Sequence, residues 1–128
     1  MTKLPRNILP QIPSDKMEEF LEFVKNNEVS VKHGRAPIIK LKPIQSHINR
    51  EKVEKIKKNA KTQKLSPILV SKEGFVIDGH HRWVAQRELE EETMDVILIN
   101  ATLKDVISLC YLFDGVQFKG LHENKLGV

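Results

Sequence analysis

Two short apolar runs that lead directly into a helix-forming segment constrain the fold of this 128-residue chain most strongly. The segment "SPILVSKEGFVIDGHHRWVAQ", residues 66–86, contains the runs ILV and FVI, separated by SKEG, whose residues are typical of turns. Short apolar runs bounded by turn residues predict strands, and the residues from His80 onward favour a helix. The segment therefore predicts a strand pair whose second strand ends at Asp78 and continues through Gly79 into a helix.

The N-terminal part of the chain predicts one helix and one strand. Ser14 is a typical N-cap, and apolar residues recur after it at helical spacing, so we expect an amphipathic helix over about residues 15–26. The segment "VSVKHGRAP", residues 29–37, is typical of a linker or an irregular strand. The next segment, "IIKLKPIQ", alternates well enough to predict a strand in which Ile39 and Leu41 share a face.

Two further helices and one strand complete the predicted elements. Asn49 is a plausible N-cap for a lysine-rich helix with a narrow apolar stripe at Val53, Ile56 and Ala60. The run "MDVILIN" predicts an apolar strand, and Thr102 is predicted to cap a last helix. The order strand, helix, strand pair, helix, strand, helix predicts a compact α+β domain. Its small mixed sheet is flanked by helices, with the amphipathic helix as an N-terminal addition.

Length, charge and cysteine content limit the class of protein. We expect one core, built by a domain over residues 37–101, with an N-terminal extension over 1–36 and a C-terminal helix and tail over 102–128 that packs on the same domain. The net charge of +4 is compatible with polyanion partners and does not by itself imply DNA binding. Cys110 is the only cysteine, which excludes an internal disulfide and fits a reducing compartment. The sequence shows neither a signal peptide nor a transmembrane run, so a cytoplasmic protein without a membrane partner is expected.

Residues 78–82, Asp-Gly-His-His-Arg, concentrate polar chemistry at the predicted start of a helix. The first N–H groups of a helix have no partner within it, and they lie where the helix dipole is positive, so the position favours an anion. Gly79 would let the backbone turn sharply and let a ligand approach closely, and Arg82 would present a planar fork to phosphate oxygens. Phosphate or polyphosphate is the predicted class of ligand.

These side chains also have structural interpretations. Asp78 would serve equally as a helix cap, and His81 would pack inward with one nitrogen bonded to the backbone. The roles of His80 and Arg82 are open in the same way, and Trp83 is assigned to packing. The lysines of the helix after Asn49 are expected to solvate its outer face, with contact to a nucleic-acid backbone as the alternative; they are Lys52, Lys55, Lys57, Lys58, Lys61 and Lys64.

The stretch "LKPIQSHINREKVEKIKKNAKTQKLSPILVSKEGFVIDGHHRWVAQ", followed by "MDVILIN", resembles the ParB/sulfiredoxin superfamily over roughly residues 38–100. ParB-like N-terminal domains have a glycine-led box of the type G-E-R-R-x-R-A where this chain has GHHRWVA, and free-serine kinases of the superfamily have an aspartate-led D-G-H-H-R like the one here. The resemblance implies the superfamily's fold and a phosphate site at residues 79–82. It also implies nucleotide contacts from Gln45 and Ser46 in the first loop.

Departures from the superfamily's patterns narrow the activity. His80 stands where sulfiredoxins carry their nucleophilic cysteine, so reduction of a sulfinic acid is not expected. Only 28 residues follow Asn100, too few for the DNA-reading and dimerisation domains of a chromosome-segregation ParB protein. The loop "QSH" at 45–47 lacks the arginine of the Q-P-R found in many ParB proteins. Free-serine kinases use an acidic base in that region, for which Gln45 is unsuited and Glu51 is a distant substitute.

The leading hypothesis is a nucleotide-binding ParB-like domain that transfers a phosphoryl group from ATP or ADP to a small hydroxyl-bearing compound, or hydrolyses a nucleotide. Gly79, the amides after it and Arg82 would hold the phosphates, Asp78 would hold Mg²⁺ or take a proton, and His80 or His81 would contact the transferred group. CTP is an alternative nucleotide.

The sequence also supports two alternative classes of function. The first is a ParB-like metal-dependent nuclease with Asp78, His80 and His81 as ligands. The second is a non-catalytic nucleotide sensor or partner-binding module that docks on another protein through the N-terminal helix. Nucleic acid is not the favoured partner of the chain.

Overall fold

The computed structural model describes residues 10–113 and 117–118, the side chains of Pro10, Gln117 and Phe118 excepted. Its helices are α1 (Met17–Asn26), α2 (Arg50–Asn59), α3 (His80–Glu88) and α4 (Leu103–Leu112). Its strands are β1 (Pro10–Gln11), β2 (Val31–Pro37), β3 (Ile68–Ser71), β4 (Val76–Asp78), β5 (Thr93–Ile99) and β6 (Gln117–Phe118). Two 3-10 turns, Ser14–Lys16 and Ile38–Lys40, precede α1 and follow β2.

A four-stranded mixed sheet with the order β2-β5-β3-β4 forms the centre of the domain. β5 pairs antiparallel with β2 and parallel with β3, and β3 pairs antiparallel with β4. The short strands β1 and β6 pair separately with each other. The chain is therefore a compact α+β domain with a small mixed sheet flanked by helices, as predicted.

Helices cover both faces of this sheet. On one face, α1 and α4 pack against residues of β5 such as Ile97 and Ile99. On the other face, α2 and α3 pack against Met94 and Val96 of the same strand. Because β5 is buried on both faces, its sequence is a nearly continuous apolar run rather than an alternating one.

Side-chain caps mark the starts of α2 and α4. The Asn49 side chain accepts a hydrogen bond from the Lys52 N–H at 3.1 Å, and the Thr102 hydroxyl accepts one from the Asp105 N–H at 3.2 Å. Both predicted caps are confirmed. The predicted cap Ser14 is wrong, because this residue lies within a 3-10 turn and α1 begins after Lys16 without a side-chain cap.

The predicted strand over residues 38–45 is also wrong. Ile38–Lys40 is a 3-10 turn that leaves Ile39 91% exposed while Leu41 is buried, so the two residues do not share a face of the sheet. The strand lies one segment earlier, at β2, in the stretch predicted as a linker or irregular strand. β2 is an edge strand with mostly exposed side chains, so its position comes from pairing with β5 and not from hydrophobic alternation.

The predicted domain boundaries at 36/37 and 101/102 remain predictions. The stretch before residue 37 contributes both α1 and β2 to the packed domain. Residues 1–9 of the predicted extension and 114–116 and 119–128 of the predicted tail lie outside the described residues. Within the described part of the chain, no helix combines the length and the apolar character needed to cross a membrane.

Candidate functional site

A single residue, Gly79, connects the end of β4 to the start of α3. It has a φ of 108°, in the left-handed region that favours glycine. A Cβ built on Gly79 would lie 2.4 Å from Ile68 Cγ2 and 2.8 Å from a guanidinium nitrogen of Arg82. The space in that direction is filled, so on this side the glycine serves the packing of the turn against β3 and not the approach of a ligand.

Arg82 reaches back from the first turn of α3 across this connection. Its Nη2 donates to the Pro67 carbonyl at 3.4 Å, and its charge lies close enough to Asp78 to favour that carboxylate. Its Nε is buried and has no hydrogen-bond partner among the residues the structure describes. A buried donor of a charged group that lacks an acceptor is costly, so this guanidinium is incompletely paired by the residues that the structure describes.

Asp78 ends β4 beside that guanidinium. Burial raises the pKa of its carboxyl, and Arg82, the N–H groups of Ile12 and Gly79, and Lys52 oppose this rise. Asp78 Oδ2 accepts the Ile12 N–H at 3.4 Å, which ties the segment after β1 to the start of α3. The carboxyl group therefore keeps its proton to higher pH than an ordinary aspartate, next to two cationic side chains.

The two histidines of the motif pack into the domain. His81 is 6% exposed, and its Nε2 accepts the Asn49 N–H at 3.0 Å, which links the start of α3 to the N-cap of α2. His80 is 7% exposed and stacks on Trp83, with 5.9 Å between ring centroids. An inward His81 with one nitrogen bonded to the backbone is the structural alternative that the sequence left open, and Trp83 is a packed residue at 5% exposure.

A cavity of about 100 Å³ lies at the start of α3. All five motif residues from Asp78 to Arg82 line it, as does the predicted loop residue Gln45. Sequence reasoning missed Gln11 and Lys52, which also line this cavity. The sequence predicts Lys52 on a solvated face, and its place in the first turn after Asn49 is the signal that distinguishes it from the other lysines.

The other predicted loop residue, Ser46, lines a second cavity of about 290 Å³ that His80 also borders. Gln45 and His80 border both cavities, and Pro43, Ile48 and Trp83 give the larger one an apolar part. The two cavities therefore form a small polar space beside a larger mixed one.

Among the described residues, no three His, Cys, Asp or Glu side chains are grouped so that they could hold a metal ion. Asp78, His80 and His81 accordingly do not form the ligand set expected for a nuclease. Cys110 is buried in α4, and burial, with a smaller effect of the Asp78 charge, raises the pKa of its thiol to about 12. Such a thiol is protonated and unreactive near neutral pH.

Comparison with known proteins identifies the fold. No protein-family model matches the sequence, and neither does any curated protein. The structure of the pNOB8-like ParB N-domain matches 65% of this chain with a TM-score of 0.54 at 16% identity, and a second form of the Pnob8-like ParB-N domain matches 65% with a TM-score of 0.52 at 15% identity. The matches span 32% and 35% of those chains, about a third of their length. The likeness establishes the ParB-like fold that the resemblance implied.

Proposed function

We propose that this chain, which has the fold of a ParB N-domain, binds the phosphate groups of a nucleotide at the start of α3. One observation carries the proposal: Arg82 and Lys52, from two different helices, line the same cavity of about 100 Å³, and the buried Arg82 Nε has no acceptor in the described part of the chain. A phosphate oxygen is the acceptor that such a guanidinium recognises best.

The parts of the site have distinct tasks in this proposal. The first N–H groups of α3 and the helix dipole attract the phosphate, Arg82 supplies a directional fork and Lys52 a point charge. The cavity of about 100 Å³ is smaller than the pockets that hold whole organic ligands, which are roughly 300–1,000 Å³. The adjoining cavity of about 290 Å³, with Ser46 in its wall and Gln45 at the junction, is therefore assigned to the nucleoside.

The chemistry proposed for the site is phosphoryl transfer to a small hydroxyl-bearing compound, or hydrolysis of the nucleotide. Asp78 is the residue that would hold Mg²⁺, an ion that proteins bind through one or two carboxylates together with substrate phosphates. Mg²⁺ would supply neutralisation of phosphate charge. Asp78 is also preferred over His81 as the proton acceptor, because Nε2 of His81 already accepts the Asn49 N–H.

A second candidate is a non-catalytic nucleotide sensor. His81 is engaged with Asn49 and His80 stacks on Trp83, so both histidines have structural tasks that explain their presence without turnover. Within the described ranges, no observation favours the nuclease over either of these functions.

The geometry also bears on the proposed partners. Lys57 of α2 pairs with Glu88, which supports the solvated-face interpretation of this helix over contact with nucleic acid. Lys61 and Lys64 do not belong to the helix as predicted, because α2 ends at Asn59, and Lys64 pairs with Asp95 of β5. The apolar residues of α1, including Phe20 and Leu21, are buried in the core of the domain. Docking on another protein through the apolar face of α1 is therefore not part of the proposal.

Calorimetric titration with ATP, ADP, CTP and GTP, with and without Mg²⁺, tests the proposal. Arg82→Ala should weaken phosphate binding by about 1.5–3 kcal/mol, the range for a hydrogen bond to a charged group. Arg82→Lys should recover part of the loss, and Lys52→Ala should weaken binding less. The matched control is Lys55→Ala, an exposed lysine on the same helix that does not line the cavity. Failure of all four nucleotides to bind at millimolar concentration, or unchanged affinity in folded Arg82→Ala, would contradict the proposal.

Turnover measurements separate the functions. Release of phosphate or phosphorylation of an acceptor with Mg²⁺ present indicates an enzyme, whereas binding without turnover indicates the sensor. Cleavage of DNA that depends on a metal, in a protein that binds no nucleotide, would indicate the nuclease.

A further inference from the structure

The two edges of the central sheet differ in the backbone hydrogen bonds that cover them. At the β4 edge, the Lys42 N–H donates to the Gly74 carbonyl at 2.9 Å and the Val76 N–H donates to the Lys42 carbonyl at 2.8 Å. At the β2 edge, no strand among the described residues pairs with the side of β2 that faces away from β5. β2 is seven residues long, so a substantial stretch of backbone is exposed there.

The ladder between β2 and β5 identifies the backbone groups that face outward. The Asn100 N–H donates to the Ser30 carbonyl and the Ile38 N–H donates to the Glu92 carbonyl, each at 3.0 Å, at the two ends of one continuous register. Hydrogen-bonded pairs alternate with non-bonded pairs in an antiparallel ladder, so even-numbered residues of β2 bond to β5. The N–H and C=O groups of the odd-numbered residues point away from the sheet; these residues are Val31, His33, Arg35 and, for its carbonyl alone, Pro37.

The side chains of β2 give this edge a charge. Lys32, His33 and Arg35 are exposed, and β2 contains no acidic residue. Arg35 pairs with Asp95 at 2.6 Å, and Asp95 also pairs with Lys64 at 3.2 Å, so that one acidic residue is shared by two cations. Successive side chains of a strand point to opposite faces, so Lys32 lies on one face and His33 and Arg35 lie on the other.

We propose that the outer edge of β2 binds an extended, acidic segment of another protein as a fifth strand. The backbone groups of Val31, His33 and Arg35 would supply the ladder, and the basic side chains would select acidic residues on either face of the added strand. A second copy of the chain fits less well, because antiparallel pairing of two β2 strands about Gly34 places His33 opposite Arg35. Lysine and proline on an exposed edge oppose indiscriminate pairing, which leaves an acidic complement as the favoured occupant.

Amide hydrogen exchange tests the geometry of this edge. In the protein alone, the N–H groups of Val31, His33 and Arg35 should exchange fast, and those of the even-numbered residues of β2 should exchange slowly. A capped seven-residue peptide of the sequence Val-Glu-Glu-Val-Glu-Glu-Val matches the length of β2 and carries glutamate on both faces, and it should slow exchange at the three odd positions. A peptide of the same length with lysine in place of glutamate should not.

Substitutions in β2 separate backbone pairing from charge. His33→Pro removes an outward N–H and leaves the ladder to β5 intact, so it should abolish binding of the acidic peptide. His33→Ala keeps that N–H and removes only one side-chain contact, so it should retain most of the binding. Lys32→Glu should weaken binding of the acidic peptide by about three- to tenfold and improve binding of the lysine peptide.

Three outcomes would overturn the proposal. The first is slow exchange at the odd positions in the monomer without peptide, since the edge would then be covered by the chain itself. The second is a dimer in sedimentation with the same odd positions protected, since the occupant would then be a second copy. The third is equal binding of the acidic and basic peptides, or unchanged binding by His33→Pro.

Discussion

Replacement of Gly79 by alanine tests the account of the β4–α3 turn. Two costs add in this variant. A residue with a Cβ held at a φ of 108° costs about 1–2 kcal/mol, and the new Cβ overlaps Ile68 Cγ2 at 2.4 Å, a contact of the overpacking kind that costs about 1–3 kcal/mol. The expected loss in the free energy of unfolding is about 2–5 kcal/mol.

Thermal unfolding followed by circular dichroism and calorimetry measures this loss. For a domain of this size each kcal/mol shifts Tm by about 3–5 °C, so Gly79→Ala should lower Tm by roughly 6–25 °C. Gly34→Ala is the matched control, because Gly34 lacks a positive φ and a Cβ there would meet no atom within 4 Å. Its Tm should lie within a few degrees of that of the unmodified protein.

A double variant identifies the colliding group. Ile68→Ala alone should destabilise the buried strand by about 2–5 kcal/mol. Combined with Gly79→Ala it should cost less than the sum of the two, since removal of Cγ2 relieves part of the overlap. A Tm for Gly79→Ala within about 2 °C of the unmodified protein, or additive losses in the double variant, would refute the steric reasoning.

Three other substitutions test further contacts. His81→Ala should reduce the free energy of unfolding by about 1–3 kcal/mol, measured by chemical denaturation, because the Asn49 N–H loses its acceptor. Phosphate affinity, measured by calorimetry, should stay unchanged. A large loss of affinity in a stable variant would instead show that His81 contacts the ligand. Burial raises the pKa of Asp78, so the stability of the folded state declines as the pH rises from the ordinary aspartate range through the raised pKa. Asp78→Asn should remove this decline from a profile of Tm between pH 3 and 8. A profile identical to that of the unmodified protein would contradict the reasoning. Hydrogen bonds from Arg50 lower the pKa of Glu88 from 4.5 to about 2, so its contribution is present above pH 4.5 and lost as the pH falls towards 2; Glu88→Gln should lower Tm at pH 7 and at low salt, with the difference vanishing near pH 2 and in high salt.

Local signals predicted the centre of the fold. The two apolar runs around the turn at 71–74 formed β3 and β4, and Asn49 and Thr102 capped their helices, because these features depend on residues close in sequence. β2 was not predicted as a regular strand, since its exposed side chains carry no alternation and only β5 specifies its path. Local patterns carry no information about pairing with β5, and for the same reason they predicted a strand at residues 38–45 instead.

The candidate site shows the same division between local and distant information. The residues from Asp78 to Arg82 are consecutive, so the sequence alone placed them together at a helix start. Lys52 and Gln11 reach the same cavity from α2 and β1, and no local pattern relates those elements to α3. The inward position of His81 likewise depends on Asn49, which caps another helix and lies 32 residues away in sequence.

The hydrogen bond from the Ile12 N–H to Asp78 couples the attachment of residues 10–12 to the energetics of the candidate site. Asp78 borders the cavity and at the same time holds Ile12, so a change in its protonation alters both contacts together. Linkage between two equilibria is reciprocal. If attachment of residues 10–12 stabilises the ionised form of Asp78, ionisation of Asp78 stabilises that attachment by the same free energy. The occupancy of the cavity and the docking of residues 10–12 are therefore coupled through one carboxyl group, and a spectroscopic label attached near Ile12 would report on that occupancy.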